Sequence, residues 1–243
     1  MILLLLGACA TALHLGRADV LPVGEATGGV GLEVQLVSAK MDVAETNTVP
    51  WVQVSGAYRR GVATGVEVGG RAWFMGIPRW FSTGGVGADV KIRLHTSREP
   101  ADPHLAFAPG LAWQALWFGD TPVSVAELRA PLLLGYDIRR SQLVFAPRLS
   151  AAINAGPGQR PIVGAGFGLG VAWHLPNRAG TIEWAPVFDW FWSPTNFEGV
   201  WFDPDKIGAG ALQLGLSASW GAGRAPEVSP GAPPPPAPRS PPP

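Results

Sequence analysis

Between Val86 and His95 the chain alternates without a break: V-G-A-D-V-K-I-R-L-H. Successive side chains of a β-strand point to opposite faces. One face therefore carries Val86, Ala88, Val90, Ile92 and Leu94, and the other Gly87, Asp89, Lys91, Arg93 and His95. A strand that is aliphatic on one side and charged on the other separates an apolar phase from a polar one. That apolar phase is either a protein core or a lipid bilayer, and composition bears on the choice. Only 15% of the 243 residues are charged, against roughly a quarter in ordinary soluble proteins. Lys and Arg (18) balance Asp and Glu (18), so net charge points to no nucleic-acid partner. No apolar run reaches the roughly 20 residues of a membrane-spanning helix. Such a chain suits a β-barrel in a membrane, or a secreted β-sandwich.

The same alternation recurs between turn signals along the sequence. It predicts ten strands, at about 28–40, 50–60, 63–74, 84–96, 104–117, 122–136, 142–154, 161–174, 181–192 and 206–220. Their lengths approach the 9–11 residues of a tilted transmembrane strand, plus ends. The connections at one end are compact: Arg59-Arg60-Gly61, Ser97 to Pro103, Asp137 to Ser141 and Pro176 to Gly180. The other end holds the longest ones, among them Met41 to Val49, Met75 to Thr83 and Ser193 to Lys206. Outer-membrane barrels show this asymmetry. The expected fold is all-β: an antiparallel up-and-down transmembrane β-barrel of about ten strands, within a range of about eight to twelve.

Turning the cleaner apolar side of each strand outward leaves Glu33, Glu67, Arg71, Asp89, Lys91, Arg93, Glu127, Arg129, Arg148, Glu183 and Asp189 facing inward. Acids and bases nearly balance in this set, as a narrow lumen requires, because isolated buried charges cost several kcal/mol each. Gly164, Gly166, Gly168 and Gly170 share the inward face of one strand and leave room for long side chains opposite. Aromatic residues fall at strand ends. Trp51, Trp73, Phe74, Trp117, Phe118, Trp190 and Trp192 lie at one end, and Tyr58, Tyr136, Trp173, Trp184 and Trp220 at the other. Two such belts are expected at lipid headgroups. Four Ala-Pro steps, at Pro109, Pro131, Pro147 and Pro186, fall inside strands, where proline removes a ladder donor. In a barrel they are expected at bulges or near strand ends, and the run after Pro131 leaves room for a register slip.

The single cysteine, Cys9, closes the motif Leu6-Gly7-Ala8-Cys9 after a short apolar run. This resembles the lipobox of bacterial lipoproteins, and the resemblance implies lipidation of Cys9 after removal of residues 1–8. The alternative is an ordinary signal peptide cut after Ala10 or Ala12. Residues 9–27 read as a polar linker, 28–221 as the barrel, and 222–243 as a proline-rich disordered tail. His95, His104 and His174 fall at strand ends without metal-ligand spacing, so no metal or other cofactor is expected.

Ten strands are similar to the omptins, outer-membrane proteases with acidic and Asp–His residues at the external rim. The loops assigned outside here carry acids but no histidine, so that resemblance stops at strand count. Over about 28–221 the pattern resembles the small bacterial outer-membrane β-barrel proteins, some with an N-terminal lipobox. The resemblance implies outer-membrane lipid as surroundings, insertion by the barrel assembly machinery, and both termini in the periplasm. The expected role is non-enzymatic. It is structural or surface-interacting, with the lumen largely filled by its charges and a periplasmic or surface partner met through Trp201 and Phe202. A narrow small-solute channel and a secreted carbohydrate-binding β-sandwich are the alternatives.

Overall fold

Alternating apolar and polar residues give strands, and the computed structural model places them in order as β1 (Ala26–Met41), β2 (Ala44–Ala63), β3 (Val66–Ile77), β4 (Phe81–His95), β5 (His104–Phe107), β6 (Gly110–Phe118), β7 (Thr121–Ile138), β8 (Ser141–Ala155), β9 (Ile162–Pro176), β10 (Glu183–Ser193) and β11 (Gly208–Gly221). The structure describes residues 16–41, 44–77, 81–97, 102–118, 121–139, 141–155, 162–176, 183–193 and 208–221. Cys9, the proline-rich tail, Trp201 and Phe202 lie outside these residues. Each strand pairs antiparallel with its sequence neighbour, β5 and β6 pair in succession with both β4 and β7, and β11 returns to β1. β5 and β6 are thus two halves of one stave, and the pairings run round a ten-stave ring.

Register links the staves into a staggered wall. A path of laterally adjacent residues leaves β1 at Ala26, passes Arg60, Val68 and Val90, and comes back by way of Phe167, Trp192 and Gly210 to Ser38. One circuit therefore climbs β1 from Ala26 to Ser38. Such a stagger is what tilts the strands of a barrel. Ala26 and Gly221 sit at the same end, called here the near mouth.

Burial alternates as the pleat requires. On β4, Val86, Val90, Ile92 and Leu94 are exposed on the outer wall, while Lys91 is 3% exposed on the inner one. Leu32, Val34, Val54, Val68, Leu128, Leu149 and Leu169 continue the aliphatic exterior. Tyr58, Phe74, Trp173 and Trp220 also face out. Trp73 does not: it is 4% exposed and packs inward with Ala112, its ring lying over Gly85 of β4, where a Cβ would overlap it. The expected belt therefore loses Trp73, which shares the inner face of β3 with Glu67 and Met75.

Ala108-Pro109 falls as expected at strand ends, between β5 and β6, whereas Pro131, Pro147 and Pro186 lie inside β7, β8 and β10 without a bulge. Register is unchanged across Ala108-Pro109, across Pro131 opposite Arg148, and across Pro186, so no slip follows Pro131. Proline lacks N–H but keeps its carbonyl. Val90 N donates to Pro109 O at 3.0 Å, and Ala108 N to Pro131 O at 3.0 Å. Each of these contacts loses the returning bond alone, at a cost of about 0.5–1.5 kcal/mol. The expected turn at Arg59-Arg60-Gly61 is also displaced. Those residues continue β2, and the hairpin turns at Thr64-Gly65, where Gly65 takes the left-handed φ of 77°.

Candidate functional site

The described part of the segment that composition marks as a linker, from Gly16 onward, runs inside the wall. Gly16 to Gly24 crosses the near mouth from β8 to β2, and the inward side chains of the staves hold its backbone. Ala18 is 1% exposed and rests on Ala106, Ala108, Leu133, Val144, Ala146 and Ala172, the inward residues of β5, β7, β8 and β9 with that of the adjoining Ala-Pro step. Four alanines in this bed keep it shallow enough for a peptide to lie on it. The Ala18 N–H donates to Gln142 Oε1 at 2.9 Å, and Gln142 Nε2 in turn donates to Asp137 Oδ1 at 2.9 Å.

Further along, the ammonium of Lys91 donates to the carbonyls of Arg17 at 2.9 Å and Asp19 at 3.0 Å, and lies 3.0 Å from Glu67 Oε2. An ammonium has three donors, and these contacts use all of them. Glu67 also accepts the Leu21 N–H at 3.1 Å, and Arg93 Nη2 reaches the Val20 carbonyl at 3.4 Å. The segment then passes over Gly61, where a Cβ would collide with the carbonyl oxygens of Pro22 and Leu21. Glycine is required there by close approach. Gly24 N donates to Gly61 O at 2.9 Å and Gly61 N to Glu25 O at 3.0 Å, which feeds the chain into β1.

Arg17 and Asp19 pair with each other at 2.7 Å beside Lys91. Burial opposes ionisation of Asp19, but the charges of Arg17 and Lys91, with the Arg17 hydrogen bond, outweigh it and bring its pKa down to about 2.

Behind the segment, the inward charges form a second layer. Arg59 bridges Glu67 and Asp89, Arg129 donates to Glu127 at 2.8 Å, and Gln53 donates to Glu33 at 3.1 Å. Arg71 lies over the Trp73 ring, 5.8 Å from its centroid. Arg148 is buried opposite Gly168. Glu33, Glu67, Lys91, Glu127, Arg129 and Arg148 are thus buried within the wall, and Arg71 and Asp89 are half-buried on the same side. The backbone carries Glu183 and Asp189 on one face of β10; their side chains are outside the description.

Arg59 and Gln142 are among the residues of this arrangement that escape the sequence reading. Arg59 is hidden by being read as a turn, although Gln53, Ser55, Ala57 and Arg59 already share one face by period two. Gln142 is neutral, so a search for charges passes over it. Among the described histidines, His95 pairs with Asp102 at 2.7 Å and His104 with Asp137 at 3.0 Å, both at the near mouth, while His174 is buried. No group of three or more metal-ligating side chains exists among the described residues.

No protein-family model and no curated protein matches the sequence. The structure is similar to the outer-membrane protease OmpT of Escherichia coli, with 8% identity over 85% of this chain and 100% of that one, at a TM-score of 0.48. It is also similar to an outer-membrane channel of Pseudomonas putida F1 (11% identity, 86% and 100% covered, TM-score 0.43). A third is Ail, the attachment invasion locus protein of Yersinia pestis (14% identity, 82% and 100% covered, TM-score 0.29).

Proposed function

We propose that this chain is a bacterial outer-membrane β-barrel whose periplasmic mouth is closed from within by its own N-terminal segment. The role is structural or surface-interacting rather than solute-conducting. The aliphatic exterior of Leu32, Val34, Val90, Ile92 and Leu169 suits lipid better than water, since soluble proteins rarely expose an apolar band around a whole wall. The near mouth carries the two-residue turn at Thr64-Gly65, and short turns are the periplasmic mark of such barrels. Cys9, seven residues before Gly16, would anchor the same segment to the inner leaflet of that membrane if lipidated. Trp201 and Phe202 are the candidates for contact with a surface partner.

The observation that carries this reading is the grip of Lys91, Glu67 and Gln142 on the backbone of Arg17 to Leu21. Planar-bilayer recording of the full chain tests it, with insertion verified by heat-modifiable gel mobility. The expected result is a silent barrel, and a Lys91→Met/Gln142→Ala variant that opens intermittently. A steady open-pore current from the unmodified protein would overturn the closed-mouth reading in favour of a narrow channel. Full recovery as a water-soluble protein would overturn the membrane reading itself.

A further inference from the structure

At the near mouth the outside of the wall carries an arrangement of its own. Val54, Tyr58 and Arg60 share the outward face of β2, and all three are exposed. Among the described side chains on outward strand faces, Arg60 is the charged one. Tyr58 lies opposite Gly28 of β1 and Arg60 opposite Ala26, while Gly28 on its other side lies opposite Trp220 of β11. Ala26 and Gly28 are small, so they floor a recess with Tyr58 and Arg60 on one flank and Trp220 on the other. The Trp220 ring leans over that floor: a Cβ at Gly28 would lie 3.2 Å from its Nε1. The Arg60 guanidinium, the Tyr58 hydroxyl and the Trp220 indole N–H can all donate, and none is engaged among the described residues. Carboxylates stand elsewhere. Glu25 makes no ion pair with Arg60, and Glu183 shares the face of Ser219 and the buried Ser217, away from the recess.

We propose that this recess docks one anionic phospholipid of the surrounding leaflet by its headgroup phosphate. Arg60 presents paired donors that match two phosphate oxygens, and Tyr58 and Trp220 add a donor from either side of Gly28. Deeper on the same outward wall, the exposed Val30, Leu32 and Val54 receive the acyl chains. Arginine, tyrosine and tryptophan each keep an apolar body in the hydrocarbon while a polar tip reaches the headgroups. One cation with no carboxylate beside it suits a phosphodiester bearing a single charge. A headgroup that also carries an ammonium finds no acceptor there, so phosphatidylglycerol fits better than phosphatidylethanolamine. The inference rests on the membrane reading and is independent of the closed mouth.

The test is native mass spectrometry of the full chain, folded in a phosphate-free non-ionic detergent and titrated with dioleoyl-phosphatidylglycerol. The expected result is one lipid bound saturably per chain, with dioleoyl-phosphatidylethanolamine at least threefold weaker and dioleoylglycerol, which lacks the phosphate, at least tenfold weaker. Arg60→Gln should weaken the first binding step about tenfold, and Tyr58→Phe and Trp220→Phe about threefold each, with folding checked by heat-modifiable mobility. Arg139→Gln, which removes a cation from the turn after β7, should leave it unchanged. Unaltered affinity in Arg60→Gln overturns the proposal, as does an equal loss in Arg139→Gln, which would mean general attraction by positive charge. Equal binding of phosphatidylethanolamine overturns the anionic class, and equal binding of dioleoylglycerol overturns the phosphate contact. Displacement of the lipid by millimolar sodium phosphate would assign the recess to the free ion instead. Failure of the membrane reading shows separately, as recovery of the protein without detergent.

Discussion

Lys91 Nζ lies 3.0 Å from the carbonyl oxygen of Asp19, a residue 72 positions earlier in the chain. That contact joins the inner face of β4 to the segment crossing the near mouth, and it explains why a charged residue is buried there. An ammonium removed from water is costly unless its donors are all met. Here two backbone carbonyls and Glu67 meet them. Lys91→Met should release the segment while leaving the wall intact, since Glu67 keeps Arg59. Breaking such a buried charged contact costs about 3–5 kcal/mol. Trypsin cleavage after Arg17 in the folded barrel is then expected to accelerate at least tenfold; an unchanged cleavage rate would remove Lys91 from the account.

Acid should loosen the same segment, but only strong acid. The pKa of Asp19 is lowered from 3.8 to about 2, so its charge stabilises the folded form above its ordinary pKa. That contribution is whole at neutral pH and is lost as pH falls from about 4 through about 2. Hydrogen exchange at Ala18 and Leu21, whose N–H groups bond Gln142 and Glu67, follows it directly. Protection, corrected for intrinsic exchange, should be flat from about pH 5 to about 4, below the titration of His104, and then decline. Asp19→Asn should shrink that decline, and an equal decline in both proteins would shift the cause to other carboxylates.

Gly61 is the crossing point of segment and wall. In Gly61→Ala the new methyl group meets the carbonyls of Pro22 and Leu21, so backbone must move. Overpacking of this kind costs about 1–3 kcal/mol. Thermal unfolding in detergent should report that loss together with faster cleavage at Arg17. A substitution without effect on either would show that the segment passes Gly61 at a greater distance.

Much of the wall was legible in the sequence because period two repeats. The outward set Val86 to Leu94 and the inward Asp89 and Lys91 follow from alternation alone, and so does the number of staves, although the turn read at Arg59-Arg60-Gly61 and most of the loop read at Met41 to Val49 belong to β2. Trp73 was misplaced because hydrophobicity does not distinguish a lipid-facing ring from one packed over a glycine. The residues Gly16 to Gly24 carry no periodicity, so no local pattern separates a peptide threaded through a lumen from a linker in water. Their partners are distant in sequence, and Gln142 and Arg59 acquire meaning only once the ring brings β8 and β2 beside them.

The exterior can be tested against depth. Leu32 lies mid-strand on β1, paired with Val54 and Leu216, whereas Tyr58 lies near the end of β2 opposite Gly28. In lipid vesicles, Leu32→Arg should destabilise folding by about 2–4 kcal/mol and Tyr58→Arg by about 0–1 kcal/mol. Urea titration measures both. Equal small costs at the two positions would indicate that the wall faces water.

The most direct measurement concerns Ala18 and Gly135. A Cβ at Gly135 would lie 2.6 Å from that of Ala18, and disulfides join Cβ atoms about 3.8 Å apart, so a small relaxation brings a cysteine pair into range. The full chain carrying Ala18→Cys and Gly135→Cys, with Cys9→Ser to remove the native thiol, should close an intramolecular disulfide on mild oxidation of the folded barrel. Peptide mapping would then find the N-terminal segment joined to β7 in most molecules. Free thiols at both positions in a folded, oxidised barrel would contradict a segment lodged inside the near mouth.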